Sequence, residues 1–249
     1  MGFLNKLGIG PGAPNSREGS RPVASGNSGV RASGQSGNVN VPRAGEQNVA
    51  TRVSNGLKEF LWNLDGLGRG TLLDLGPAWQ TTLNFFIERG FRVSSEDILR
   101  GWKNFLDEEE GKLREDPSLR ETLDLTPGGR SMRFLETNLK YPAASFDAIL
   151  LWDVLDYLEP TMAKQTIASV TELLRPGGVV FAMFHSKKPE GFQRYRLADS
   201  NTLQVIPTPA ILPSQKIYQN REIQDLFRLY RTTKSFVGRD QLRETLFIK

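Results

Sequence analysis

Four places in the chain set polar or conformationally special residues directly behind short apolar runs. They are Asp74-Leu75-Gly76-Pro77-Ala78-Trp79-Gln80, Glu96-Asp97, Thr137-Asn138-Leu139 and Trp152-Asp153. These residue types suit one chemistry. A glycine-containing loop running into a helix lets the backbone approach an anionic group. A carboxylate at a strand end accepts hydrogen bonds from both hydroxyls of a ribose, and a side-chain amide can read an adenine edge. Other chemistries are excluded by what is missing. With no cysteine, the chain has no thiolate nucleophile, disulfide, zinc ribbon or iron-sulfur site. Its single histidine, His185, rules out multi-His metal sites, and a Ser-His-Asp triad would have to be built around it. Each candidate also has a structural role. Asp74 can cap a neighbouring helix, Glu96 and Asp97 can be an N-cap pair, and Asn138 can be a turn residue. Trp102 and Trp152 can be packing residues, and His185 an inert surface side chain.

The elements that would position these residues can be read from periodicity. Leu57, Phe60, Leu61 and Leu64 mark one face of a helix, and Thr71 to Leu75 a buried strand broken at Gly76-Pro77. A helix over Thr81 to Glu88 ends at Gly90, followed by a strand from Phe91 to Ser95 and a charged helix from Ile98 to about Leu119. After a Pro127-Gly128-Gly129 turn, Ser131 to Glu136 reads as a third strand and Phe146 to Trp152 as a fourth. The helix Thr161 to Leu174 stops at Arg175-Pro176-Gly177-Gly178, and Val179 to Phe184 is a fifth strand. Lys187 to Ile217, with four prolines, reads as a long loop, either a substrate cap or a connector. A helix over Arg221 to Leu229 and strands near Thr232 to Val237 and Leu242 to Ile248 complete the chain. Strands alternating with helices at this spacing indicate an α/β domain with a mostly parallel sheet, whose ligands bind beyond the C-terminal strand ends.

The formal net charge of +4 over 249 residues is confined to residues 1–55, where six basic residues face two acidic ones; the remainder carries 26 of each sign. The body therefore gives no reason to expect specific nucleic-acid binding. Gly, Ser, Asn and Pro make up 28 of those first 55 residues, a composition expected to be a disordered basic tail preceding a domain over 56–249. No run approaches the 18 apolar residues of a membrane span, and a soluble, cytoplasmic protein is expected.

Residues 56–249 resemble a class I S-adenosylmethionine-dependent methyltransferase, of the type 11-like kind. LLDLG resembles the first motif of that family, and GFRVSSED places Asp97 at its ribose-binding acid. NLKYPAASFDAILLWDVLDYL and LLRPGGVVFAMF resemble the stretches around the fourth and fifth strands, in the right order. The resemblance implies a Rossmann-like seven-stranded sheet of order 3-2-1-4-5-7-6, the last strand antiparallel, with helices on both faces. It implies S-adenosylmethionine as cofactor, held by Asp74, Gly76, Ala78, Asp97, Asn138, Leu139 and Trp152. One departure stands out: Gly76-Pro77-Ala78-Trp79-Gln80 keeps only the first glycine of the family's GxGxG loop and puts an indole where a small residue is usual. Methyl transfer from an activated sulfonium needs a base only if the acceptor must lose a proton. Asp153, Asp156, Tyr157 and His185 are the candidates. No Asn-Pro-Pro-Tyr type sequence or catalytic cysteine marks the acceptor, which is an unidentified small molecule or protein. The alternative is a degenerate relative acting as a scaffold or regulator. A dehydrogenase is disfavoured by the missing GxGxxG.

Overall fold

The structure, a computed structural model, describes residues 49–249. All but the last seven residues of the expected basic tail lie outside the described residues. In chain order the elements are β1 (Ala50–Val53), α1 (Asn55–Leu64), β2 (Gly70–Asp74), α2 (Gln80–Ile87), β3 (Phe91–Ser95), α3 (Ile98–Glu115), α4 (Leu119–Thr122), α5 (Pro127–Asn138) and β4 (Phe146–Trp152). A short 3-10 turn (Val154–Tyr157) leads into α6 (Pro160–Leu173), β5 (Leu174–His185), β6 (Gln193–Leu197), β7 (Thr202–Pro207), α7 (Asn220–Leu226), β8 (Thr232–Val237) and β9 (Leu242–Ile248). No helix among the described residues is long and apolar enough to cross a membrane.

Local chemistry explains most boundaries. Ser54 caps α1, its Oγ accepting from the Leu57 N–H at 2.9 Å, and Leu57, Phe60 and Leu64 are the buried face. Gly90 follows α2 at φ +86°, and a Cβ there would lie 2.6 Å from the Gly68 carbonyl oxygen, so the turn into β3 requires glycine. In β2, β4 and β5 consecutive residues serve opposite faces. Leu73, Ile149, Leu151, Val180 and Ala182 pack with Trp102, Phe134 and Met162 from α3, α5 and α6. Leu72, Ala148, Leu150, Phe181 and Met183 pack with Phe60 and Phe86 from α1 and α2.

The main sheet has the order β3-β2-β4-β5-β9-β8. The β3-β2-β4-β5 neighbours are parallel, and β9 lies antiparallel between β5 and β8. This is the expected Rossmann-like α/β order with one strand fewer: six strands replace seven. The missing edge strand is the stretch Ser131 to Glu136, which is helical within α5. Thr126 accepts from the Gly129 N–H at 3.1 Å and Pro127 opens the helix, so Thr-Pro-Gly-Gly is a helix start rather than a hairpin turn. Ser131, Phe134 and Leu135 then fall on one buried helical face, while Met132 is exposed.

Two further expectations are corrected by a second sheet, three antiparallel strands in the order β1-β7-β6. Residues 50–53 pair with 202–205, so ordered structure begins before residue 56. The segment Lys187 to Ile217 is not a plain loop, because Gln193–Leu197 and Thr202–Pro207 form a hairpin within it. Tyr195, Leu197 and Leu203 of that sheet join the core with Leu72, Leu150 and Phe181.

Candidate functional site

The C-terminal ends of β2, β3, β4 and β5 bring together Asp74, Asp97, Trp152, Asp153 and His185. Asp74 ends β2 and is only 1% exposed. Its Oδ1 accepts from the Gly76 N–H at 2.9 Å and from the Trp152 Nε1–H at 2.7 Å. Its Oδ2 is buried without a partner. Burial pushes the carboxyl up to about 6, against the downward pull of those two hydrogen bonds.

Trp152 ends β4 with φ +53°, a left-handed backbone that a bulky residue rarely takes, at a register shift between Leu150 and Trp152. The twist lays the indole on the glycine loop. A Cβ added to Gly76 would lie 2.7 Å from both Trp152 Cδ1 and Nε1, so only glycine fits beneath the ring. Trp152 also stacks on Tyr195 from β6, with centroids 6.2 Å apart at 15°. Ala78 is exposed, and Trp79 is half-buried at the start of α2, with the Arg196 guanidinium 5.5 Å over its ring.

Asp97 follows β3 and makes the capping contact foreseen as its structural role, its Oδ1 accepting from the Arg100 N–H at 3.2 Å at the start of α3. The same oxygen accepts from Arg194 Nη2 at 2.7 Å. Arg194 comes from β6 and is 5% exposed, its guanidinium also 5.1 Å over the Phe192 ring. Glu96 accepts a 2.7 Å hydrogen bond from the Tyr141 hydroxyl. The premise for Asn138 and Leu139, that they follow a strand, is overturned. Asn138 is the last residue of α5 and donates to the Phe134 carbonyl at 2.9 Å, while Leu139 is the buried C-cap.

A second group of polar residues gathers around His185 at the end of β5. Its Nδ1 lies 2.9 Å from Asp156 Oδ2, which also accepts from the His185 backbone N–H at 2.7 Å; Nε2 is 3.9 Å from Asp153 Oδ2. Asp153 and Asp156 are buried, and burial raises both carboxyls, Asp153 to about 7. Burial alone would lower His185, but the Asp156 hydrogen bond and the charges of Asp153, Asp156 and Asp240 outweigh it and hold the imidazole above its ordinary value. Tyr157 is buried beside them with its hydroxyl unpartnered and its pKa raised by the same burial. His185 lines a cavity of about 240 Å³ with Lys187, Lys188, Tyr195 and Asp240.

Arg194 and Tyr195, the residues that most alter the site, were not foreseen. The available signal was the pattern FQRYRL-ADSN-TLQVIP, two strand-like runs around a turn-rich tetrapeptide.

No family model matches the chain, and no curated protein does. Solved structures do, at low identity. A 1,6-didemethyltoxoflavin-N1-methyltransferase from Burkholderia thailandensis, with bound 1,6-didemethyltoxoflavin and S-adenosylhomocysteine, is 16% identical over 79% of each chain at a TM-score of 0.39. A SAM-dependent methyltransferase from Methanosarcina mazei is 13% identical, covering 73% of this chain and 92% of its own, at 0.37. The N-methyltransferase NodS from Bradyrhizobium japonicum, in complex with S-adenosylhomocysteine, is 13% identical over 78% and 85% at 0.38.

Proposed function

We propose that the chain is a class I S-adenosylmethionine-dependent methyltransferase acting on a small-molecule or protein acceptor. The observation that carries this reading is the strand order, parallel β3-β2-β4-β5 continued by an antiparallel β9 inserted before β8. It sets Asp74 and Asp97 behind the adjacent strands β2 and β3, at the end of the sheet where α/β folds bind ligands.

The donor set suits an adenosyl ligand. Asp97 would hold the ribose hydroxyls, Gly76 would face the methionine end, and Asp74, with its unpartnered Oδ2, would fix the loop. In the conformation described, however, Trp152 covers Gly76 and Arg194 engages Asp97, so these side chains must move for a cofactor to enter. Four surface cavities, the one beside His185 among them, are lined by none of Asp74, Gly76, Asp97 and Trp152. When bound, the cofactor would supply an already activated methyl group, so the protein has to orient the partners and, where the acceptor must lose a proton, to take that proton. His185, oriented through Nδ1 by Asp156, is the side chain suited to accept that proton, with Asp153 facing Nε2.

The test is calorimetric titration of the full chain with S-adenosylmethionine and S-adenosylhomocysteine. Saturable binding of both, abolished by Asp97→Ala, is the expected result. A second reading, a methyltransferase-fold scaffold without catalysis, is supported by the indole on Gly76; absence of binding to the folded chain and to variants that clear the crevice would move the assignment there.

A further inference from the structure

The residues that cover the crevice come from two separate parts of the chain. Trp152 belongs to the main sheet, whereas Arg194 and Tyr195 are consecutive on β6 of the second sheet. Arg194 reaches Asp97 Oδ1 at 2.7 Å, and Tyr195 stacks on the Trp152 indole, which in turn donates to Asp74 at 2.7 Å. The two acids suited to an adenosyl ligand are thus both occupied by donors from this chain. The strand is tied down at its far end, where the Leu197 N–H donates to Thr82 Oγ1 of α2 at 3.1 Å, and by its ladder with β7. Trp152 sits at φ +53° against these contacts, and a bulky residue persists there only when its surroundings over-determine it.

We propose that Arg194, Tyr195 and Trp152 form a latch that closes the S-adenosyl crevice, and that the chain binds its cofactor only from a minor open state in which β6 has released Asp97 and the indole has left Gly76. The proposal rests on the methyltransferase reading and adds to it a gate. Opening gives up two hydrogen bonds to carboxylates, Arg194 to Asp97 and Trp152 to Asp74, and one ring stack, against relief of the left-handed backbone at Trp152. Apparent affinity is then the intrinsic affinity reduced by the open fraction. A change that weakens the closed state, leaving Asp74, Gly76 and Asp97 intact, tightens binding.

The experiment is rapid mixing of the full chain with S-adenosylhomocysteine, followed by tryptophan emission and paired with calorimetric affinities. Trp152→Phe assigns the signal among the four tryptophans. In the wild type the observed rate should level off as ligand concentration rises, because opening limits it. Arg194→Gln removes the cation paired with Asp97, and Thr82→Val loosens β6 without touching the crevice; melting curves verify that each is folded. Both should raise the plateau and tighten binding, Arg194→Gln by roughly tenfold or more, the equivalent of one charge-assisted hydrogen bond, and Thr82→Val by about threefold to tenfold, the equivalent of one neutral hydrogen bond. Binding to the variants but not to the wild type also supports the latch. A wild-type rate that climbs linearly, or folded variants that bind no tighter, overturns the latch and leaves the methyltransferase reading standing. No binding by any folded form overturns both. The rate law is read on the wild type, so the proposal is decided even if a variant fails to fold.

Discussion

Arg52 offers a direct test of where the folded domain begins. It lies in β1, within the segment the composition assigns to the tail, yet its side chain is only 10% exposed. Its Nη1 is 2.9 Å from Glu244 Oε1 on β9 and its Nε 2.8 Å from Asp240 Oδ2, although the alignment at these atoms is that of ion pairs rather than hydrogen bonds. Glu244 is 2% exposed and keeps one firm donor, the Gly56 N–H at 2.7 Å. Arg52→Met preserves the stem and removes the charge. Breaking a buried pair from one side costs about 3–5 kcal/mol. The imperfect alignment and the surviving Gly56 donor bring the expected cost to about 2–3 kcal/mol. For a domain of this size that lowers Tm by roughly 5–10 °C. Calorimetric melting at neutral pH measures it directly, and Arg52→Met combined with Glu244→Gln should recover part of the loss. A drop below about 2 °C would refute the reasoning, because it would mean that Glu244 is solvated without Arg52 and that β1 is an appendage.

Two other perturbations follow from the site and the fold. Asp74, Asp153, Asp156 and His185 all have folded pKa values raised above their ordinary ones, so the folded state binds more protons than the unfolded state from about pH 4 upward through the raised values. Stability from these groups therefore falls as pH rises through about 6 for Asp74 and about 7 for Asp153, and Tm should be higher at pH 5.5 than at pH 8. Asp153→Asn should flatten that slope in a pH series of melting curves, and an unchanged slope would count against the buried-acid account. Gly90→Ala, which places a Cβ against the Gly68 carbonyl in a left-handed turn, should cost about 1–2 kcal/mol by denaturant titration, whereas Gly111→Ala, in open space on the exposed side of α3, should be neutral or stabilising.

The parts of the fold legible in the sequence are those where one signal acts alone. The apolar run FDAILLW and the helical spacing of Leu57, Phe60, Leu61 and Leu64 each have a single interpretation, and β8 and β9 lie at the expected Thr232 to Val237 and Leu242 to Ile248. Ser131 to Glu136 misled because Met132 and Phe134 alternate while Ser131, Phe134 and Leu135 also share a helical face; the Thr126 cap decides between the two, and its effect depends on geometry that composition does not carry. At the site, the acids at strand ends could be located, but their partners could not. Arg194 is 97 residues from Asp97 and Trp152 is 78 from Asp74, separations at which neither spacing nor periodicity has a voice. The left-handed turn at Trp152 was equally hidden, since nothing in the residue type asks for it.

The pairing of β1 with β7 also sets an order of assembly. Residues 50–53 leave the ribosome long before 202–205, the strand they join, whereas α2, β3 and β2 meet within a short stretch of chain. Contacts between distant segments are the slow ones to close. During synthesis the strand ends of β2, β3 and β4 are therefore made before Arg194 and Tyr195 of β6, whose hairpin with β7 is then extended at its edge by β1. A nascent chain and a mature chain of the same sequence would then differ in what their strand ends admit.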